Sequence, residues 1–327
     1  MQFRQIIQKY GLGMLLSPPE PVLGGFLHTT YRLDTAEGSF AVKVLNPVVM
    51  ARPEAYGNML RSERIAQALS AVIPAVRAIE ADGSPIVKIG NEYAMLYPWI
   101  SAKPLFPPKL TPRHTAAAGD LLGKIHAYAL EAEESPAHDA APNDWDALVS
   151  LAEERDADAV WLPGLRDAHA ALIAMEKDAA DAAKVPGRKT VAGHRDFDPK
   201  NVLWDGLDPT VIDWEAAGPV DPDAELLDAL LSWADDGRGS LSEEAGMSLL
   251  TAYRAHRDPG DADWDALCAA SAKGPLDWLA YNIRRAAGVE ASDDTERHVG
   301  ESEVQKTLRA LARRPEEIDL IRGWLEA

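Results

Sequence analysis

Between Val191 and Glu215 the chain runs VAGHRDFDPKNVLWDGLDPTVIDWE, and no other stretch constrains the fold as strongly. The apolar pairs Val202-Leu203 and Val211-Ile212 read as short strands, giving strand, loop, strand, loop. His194, Asp196 and Asn201 precede the first pair and Asp213 follows the second. Any one Asp or Asn at a loop end is ordinary turn chemistry. Four such residues at this spacing, between two strand-like runs, ask for a shared purpose. One carboxylate can take the proton of an attacking hydroxyl, while an Asn and a second Asp offer oxygens to metal ions on phosphates. Phosphoryl transfer needs those groups together. Asp196 is then the base, Asn201 and Asp213 the metal ligands, and His194 a buried support for the loop.

That spacing, H-R-D, four residues, then N, is the catalytic-loop pattern of kinases. The segments upstream follow suit. Val22 to Leu33 reads as strand, glycine turn and strand, Glu37-Gly38 as the next turn, and Phe40 to Leu45 as a third strand carrying Lys43. Gly24 and Gly25 let backbone amides approach phosphate oxygens. Lys43 is placed to contact them. Pro53 to Leu69 has helical apolar spacing, and Glu63 on it is the expected carboxylate partner of Lys43. Glu54, just after Pro53, reads as a first-turn acid.

Two further strand-like runs, Ile86–Ile89 and Tyr93–Ile100, lead to the proline-rich SAKPLFPPKLTPR, where a hinge is expected. Pro98 cannot donate a hydrogen bond, so main-chain groups of Trp99 and Ile100 are the expected adenine contacts. We therefore expect a nucleotide-binding lobe over 1–98 and a catalytic and substrate-binding lobe over 99–327. In the first lobe, residues 1–16 read as a short helix ending near Gly11, and Ser17 to Pro21, with three prolines, reads as irregular. In the second, Thr111–Leu130 and Trp145–Ala183 read as helices, the latter broken at Pro163-Gly164, with an acidic surface loop at Glu131–Asp144 between them. Pro222 opens another helix, and the remainder is mostly amphipathic helix with breaks at Asp235–Gly239, Pro259-Gly260, Gly274-Pro275 and Asp293-Asp294. His126 lies on an apolar helix face and reads as a core histidine.

Composition excludes several alternatives. The 327 residues carry a formal charge of −19, so a basic nucleic-acid footprint is not expected, whereas a cationic small ligand suits the field. No apolar run approaches the roughly 18 residues a membrane helix needs, and the N-terminus offers no clear cleavage site for a signal peptide. A single cysteine, Cys268, excludes an internal disulfide and a cysteine-based zinc site, and fits a cytoplasmic protein.

With glycine loop, lysine, hinge and catalytic stretch in order, the chain from about Leu16 to Trp278 resembles the aminoglycoside phosphotransferase family, most specifically in GHRDFDPKNVLW and VIDWE. The resemblance implies an α+β, protein-kinase-like fold: a small N-lobe with an antiparallel sheet and one helix, and a larger, mostly helical C-lobe. It also implies ATP and Mg2+ as cosubstrates and a hydroxyl on a small molecule, a drug or a metabolite such as choline, as acceptor. The ATP site would use Gly24, Gly25, Lys43 and Glu63, the base would be Asp196, and magnesium would sit on Asn201 and Asp213. Three departures stand out. Arg195 occupies the middle of the triplet, where the family often has Gly; Asp213-Trp214-Glu215 replaces D-F-G; and His28 enters the phosphate loop. A peptide-directed kinase is disfavoured, because position 198 is Asp and a helix opens near Pro222, leaving no room for an activation segment. The alternative from another class is a kinase-fold nucleotide-binding module without turnover. Acceptor contacts are expected from the C-terminal helices, with Trp233, Asp235, Asp236, Trp278 and Tyr281 as candidates.

Overall fold

A computed structural model describes residues 3–22, 28–131, 141–183, 190–259, 263–291 and 293–327. It forms two compact units, residues 1–135 with 190–220 and residues 136–189 with 221–327. The first unit holds, in order, α1 (Phe3–Tyr10), β1 (Glu20–Val22), β2 (Thr29–Thr35), β3 (Gly38–Leu45), α2 (Pro47–Met50), α3 (Ala55–Leu69), β4 (Val87–Ile89), β5 (Glu92–Pro98), β6 (Lys103–Pro104) and α4 (Pro112–Tyr128). It then takes up β7 (Val191–Gly193), β8 (Val202–Asp205), β9 (Asp208–Val211) and β10 (Gly218–Val220).

The main sheet is antiparallel in the order β1-β2-β3-β5-β4. Its alternation places the lysine. Val42 and its cross-strand partner Leu96 join the core that also takes Ile6 and Ile7 of α1. Lys43 and its partner Met95 therefore face the other side of the sheet, where Met95 packs with Met59 of α3. A one-residue slip would send Lys43 into the core against α1 and Val42 out of it.

Residues expected to be irregular contribute an edge strand. Pro21 lies in β1, opposite Tyr31 of β2. Only one side of an edge strand is paired, so a residue without an N–H is tolerated there. The short helix α2 was not expected; Asn46 caps it by accepting from the Val48 amide, with Pro47 in its first turn.

The second unit is helical among its described residues: α5 (Trp145–Arg155), α6 (Leu162–Ala182), α7 (Pro222–Trp233), α8 (Glu243–Arg254), α9 (Trp264–Ala270), α10 (Lys273–Ala286) and α11 (Asp294–Glu326). Asp144, Asp221, Ser242, Asp263 and Asp293 each accept a backbone N–H at a helix start. Pro163-Gly164 and Gly274-Pro275 were expected as breaks, and instead lie in the opening turns of α6 and α10. Proline costs little there, because the first amides of a helix lack an internal partner anyway. The core of this unit gathers Trp145, Trp161, Leu165, Leu276, Ile283 and Val304. α10 and α11 pack so closely that a Cβ on Gly300 would stand 2.7 Å from the backbone nitrogen of Ala286. The antiparallel sheet near the N-terminus and the mostly helical remainder make the α+β architecture expected from the sequence. No helix among the described residues is long and apolar enough to cross a membrane.

Candidate active site

β7, the loop after it, and the β8–β9 hairpin build the centre of the site within the first unit. The hairpin turns on Gly206, whose φ of +63° is a conformation glycine adopts at low cost. Pro199–Asn201 form a short 3-10 turn capped by Asp198, whose side chain accepts from the Lys200 amide. That turn brings two side chains back onto Asp196. Asn201 Nδ2 donates to Oδ2 of Asp196 at 2.9 Å and to its carbonyl at 2.8 Å. Lys200 Nζ donates to Oδ1 at 2.7 Å. Both carboxylate oxygens are thus oriented. The Lys200 ammonium is partly desolvated, which favours losing its proton, but the charges of Asp198 and Asp196 outweigh this and its pKa is raised.

His194 is fully buried, and its Nε2 lies 2.9 Å from the Ile212 carbonyl. A carbonyl only accepts, so Nε2 carries the proton. The ring packs 4.6 Å from that of Trp214. The Ile212 amide in turn donates to the Asn201 carbonyl at 2.9 Å. The loop that carries Asp196 and the segment leading to Asp213 are therefore tied by a side chain and by backbone. Arg195 and Asp213 both take left-handed backbone, each with φ of +62°. Non-glycine residues in that region cost about 1 kcal/mol or more and concentrate where function fixes the backbone.

Lys43 Nζ donates to Oδ1 of Asp213 at 2.6 Å and to Oε2 of Glu215 at 2.8 Å. Burial pushes the pKa of the ammonium down, but the two carboxylate charges and their hydrogen bonds prevail, and it is raised. Asp213 responds in the opposite direction. Burial pushes its carboxyl up, yet the charge and hydrogen bond of Lys43, helped by His194 and Lys200, hold it below its usual range. His28 joins this cluster: its Nδ1 accepts from the Asn46 amide at 3.0 Å, and Nε2 lies 3.7 Å from Glu215.

Glu63 stands elsewhere than expected. Its Oε2 accepts the Ala78 amide and its Oε1 the Tyr97 hydroxyl, each at 2.8 Å, while the carboxylates bonded to Lys43 are Asp213 and Glu215. Burial raises the Glu63 carboxyl, and the two hydrogen bonds and the nearby Lys43 charge only partly offset that. Two buried donors at bonding distance compete more strongly for a carboxylate than a lysine already holding two others.

Asn201 and Asp213 suit a magnesium ion. Because Nδ2 of Asn201 is committed to Asp196, its Oδ1 is left to coordinate, and Asp213 brings a charged oxygen. No cluster of three or more His, Cys, Asp or Glu among the described residues could hold a metal by itself. A two-residue set is what magnesium takes when phosphate oxygens and water complete its shell. Of the remaining expected nucleotide contacts, Gly24 and Gly25 lie outside the described residues. The Trp99 amide donates to the Ser39 carbonyl at 3.1 Å, so that expected hinge donor is already paired. Among the expected acceptor residues in the second unit, Trp233 is core, and Asp236 accepts the Arg238 and Ser240 amides of a turn. Trp278 and Tyr281 stack at 5.6 Å on α10, with Trp278 Nε1 donating to Glu303 at 3.3 Å.

A family model described as the phosphotransferase enzyme family matches residues 19–268, from β1 into α9. The chain belongs to this family. It is therefore a phosphotransferase. No curated protein matches it. Solved structures of the same fold include a spectinomycin phosphotransferase in complex with ADP and spectinomycin, at 14% identity and TM-score 0.72, covering 96% of this chain and 97% of that one. A microcompartment-associated aminopropanol kinase aligns at 15% identity and TM-score 0.64, over 98% and 99% of the two chains. A choline/ethanolamine kinase family protein from Mesorhizobium loti aligns at 19% identity and TM-score 0.56, over the whole of both.

Within this phosphotransferase the sequence reading missed three residues of the site: Lys200, Glu215 and Tyr97. Lys200 was legible in principle, since a 3-10 turn at Pro199 brings a residue four positions after Asp196 back onto it. Tyr97 was hidden, because only the sheet register and the packing of α3 bring its hydroxyl to Glu63.

Proposed function

We propose that this enzyme transfers the γ-phosphate of ATP to a hydroxyl of a small molecule. The arrangement that carries the reading is the pairing of Asp196 with Asn201 beside Asp213, itself 2.6 Å from Lys43. Asp196, oriented by Asn201 and Lys200, accepts the proton of the acceptor hydroxyl. Asn201 and Asp213 hold magnesium, which when bound neutralises charge on the phosphates. Lys43 moves from its carboxylates onto the ATP phosphates, and Lys200, beside the base, faces negative charge as it develops. Gly24, Gly25, Trp99 and Ile100 complete the proposed nucleotide contacts. Functionally, residues 1–98 serve the nucleotide, and 99–327 serve chemistry and acceptor, in a cytoplasmic enzyme.

The acceptor we propose is cationic, an amino alcohol of the choline or aminopropanol type or an aminoglycoside-like drug. The overall charge of −19 supports this, because the field of such a chain concentrates cations. The test is to incubate the enzyme with magnesium-ATP and a mixture of hydroxylated cations, and to follow each by mass spectrometry. A phosphorylated cation is the expected product. Phosphorylation confined to neutral or anionic alcohols would remove the cationic-acceptor proposal, and no phosphorylated product with ATP bound would favour a binding module.

A further inference from the structure

The first unit contains a cavity of about 440 Å³ that none of Asp196, Asn201 and Asp213 lines. Its wall carries Arg61 and Arg64 of α3, Arg195 of the catalytic loop, and the carboxylates Glu215 and Glu131. We propose that it binds a phosphate-bearing anion, either inorganic phosphate or a phosphate monoester, at a site separate from the nucleotide's. Three guanidiniums line one cavity in a chain whose formal charge is −19, which makes the local charge there opposite in sign to that of the whole. Of the two carboxylates, Glu215 is engaged by Lys43 at 2.8 Å, so its charge is largely answered from outside the cavity. Guanidinium forks match the oxygens of a tetrahedral anion better than any other side chain. The volume lies within the roughly 300–1,000 Å³ of small-ligand sites.

Two features hold Arg195 at this wall. Its left-handed backbone is one that glycine would adopt more cheaply, so the position bears strain to present an arginine. Gly218 of β10 makes room for it: a Cβ there would stand 3.0 Å from Arg195 Nη1. Arg61 is steadied by donating to Asn58 Oδ1, one turn earlier on α3. The occupant would sit one carboxylate away from Lys43, since Glu215 both lines the cavity and pairs with that ammonium.

The test is calorimetric titration of the full chain without nucleotide, the state in which Lys43 engages Glu215, at ionic strength fixed with sodium chloride. One arm uses inorganic phosphate and the other glycerol 2-phosphate. Saturable binding is expected, with the dissociation constant raised at least ~10-fold in Arg61→Gln and in Arg64→Gln, as loss of a charge-assisted hydrogen bond implies. Lys88→Gln, a surface lysine outside the cavity, should leave it unchanged. Circular dichroism of each variant separates lost binding from lost fold. Tighter binding in one arm identifies the source as free or esterified phosphate, and both results support the site. No saturable binding in either arm, or equal affinity in the folded arginine variants, would overturn it.

Discussion

The Lys43 ammonium lies 2.6 Å from Oδ1 of Asp213, so the residue proposed to hold ATP phosphates is paired with the residue proposed to hold their metal ion. Each stabilises the charged form of the other: Lys43 is held protonated and Asp213 ionised. Asp213→Ala leaves Lys43 with Glu215 at 2.8 Å, so the fold should survive. Its affinity for magnesium-ATP should drop by ~10-fold or more, the scale of one lost charge-assisted contact. Unchanged affinity in an equilibrium binding assay would contradict the ligand assignment.

Glu63 separates structural from nucleotide roles. Glu63→Ala strips the acceptor from the buried Ala78 amide and should cost about 1–3 kcal/mol in denaturant unfolding. Glu63→Gln can still accept that amide through its carbonyl oxygen and donate to Tyr97, so it should lose little. The variant should also remove a pH slope. Burial raises the Glu63 carboxyl, so the native state binds its proton more tightly than the unfolded chain does. Wild-type stability then falls as pH rises from about 4.3 through the raised value. A Gln variant with the same slope would show that Glu63 is not its source.

Lys200 was not anticipated, and it offers the sharpest test of the geometry around Asp196, the proposed base. Removing its 2.7 Å contact in Lys200→Met should lower turnover by roughly 10- to 100-fold, the range for a hydrogen bond to a charged group. Binding of magnesium-ATP should be little changed. Wild-type turnover in that variant would make Lys200 a surface lysine and nothing more.

Much of the fold was legible because it rests on local periodicity. Alternation around Lys43 gave β3, and apolar spacing after Pro53 gave α3. The candidate site was legible because His194, Asp196, Asn201 and Asp213 lie within a run of 25 residues. What escaped depends on tertiary placement. The partner of Lys43 could not be read locally, since Glu63, Asp213 and Glu215 are all carboxylates and only packing decides which one reaches it. Pro21, Pro163 and Pro275 were read as breakers, because a sequence does not say which strand is an edge or on which side of a proline a helix begins.

Packing in the second unit gives a prediction of a different kind. Gly300→Ala gains about 1 kcal/mol of helix propensity, but its methyl meets backbone of α10 at 2.7 Å and 3.1 Å, where no side chain can rotate away. Overpacking of that sort costs about 1–3 kcal/mol or more, so the variant should be net destabilised and melt at lower temperature. A raised melting temperature would mean that α10 and α11 are not so closely apposed.

The proposed reaction makes Asp196 the base of an ATP-dependent transfer to a small-molecule hydroxyl. The most direct measurement is ADP production from magnesium-ATP across amino alcohols, choline, aminoglycosides and macrolides, with wild type and Asp196→Ala side by side. At least one compound should raise turnover in wild type, with a loss of about 10²-fold or more in the variant, the usual scale for a general base. Acceptor-stimulated turnover that survives intact in Asp196→Ala would contradict it.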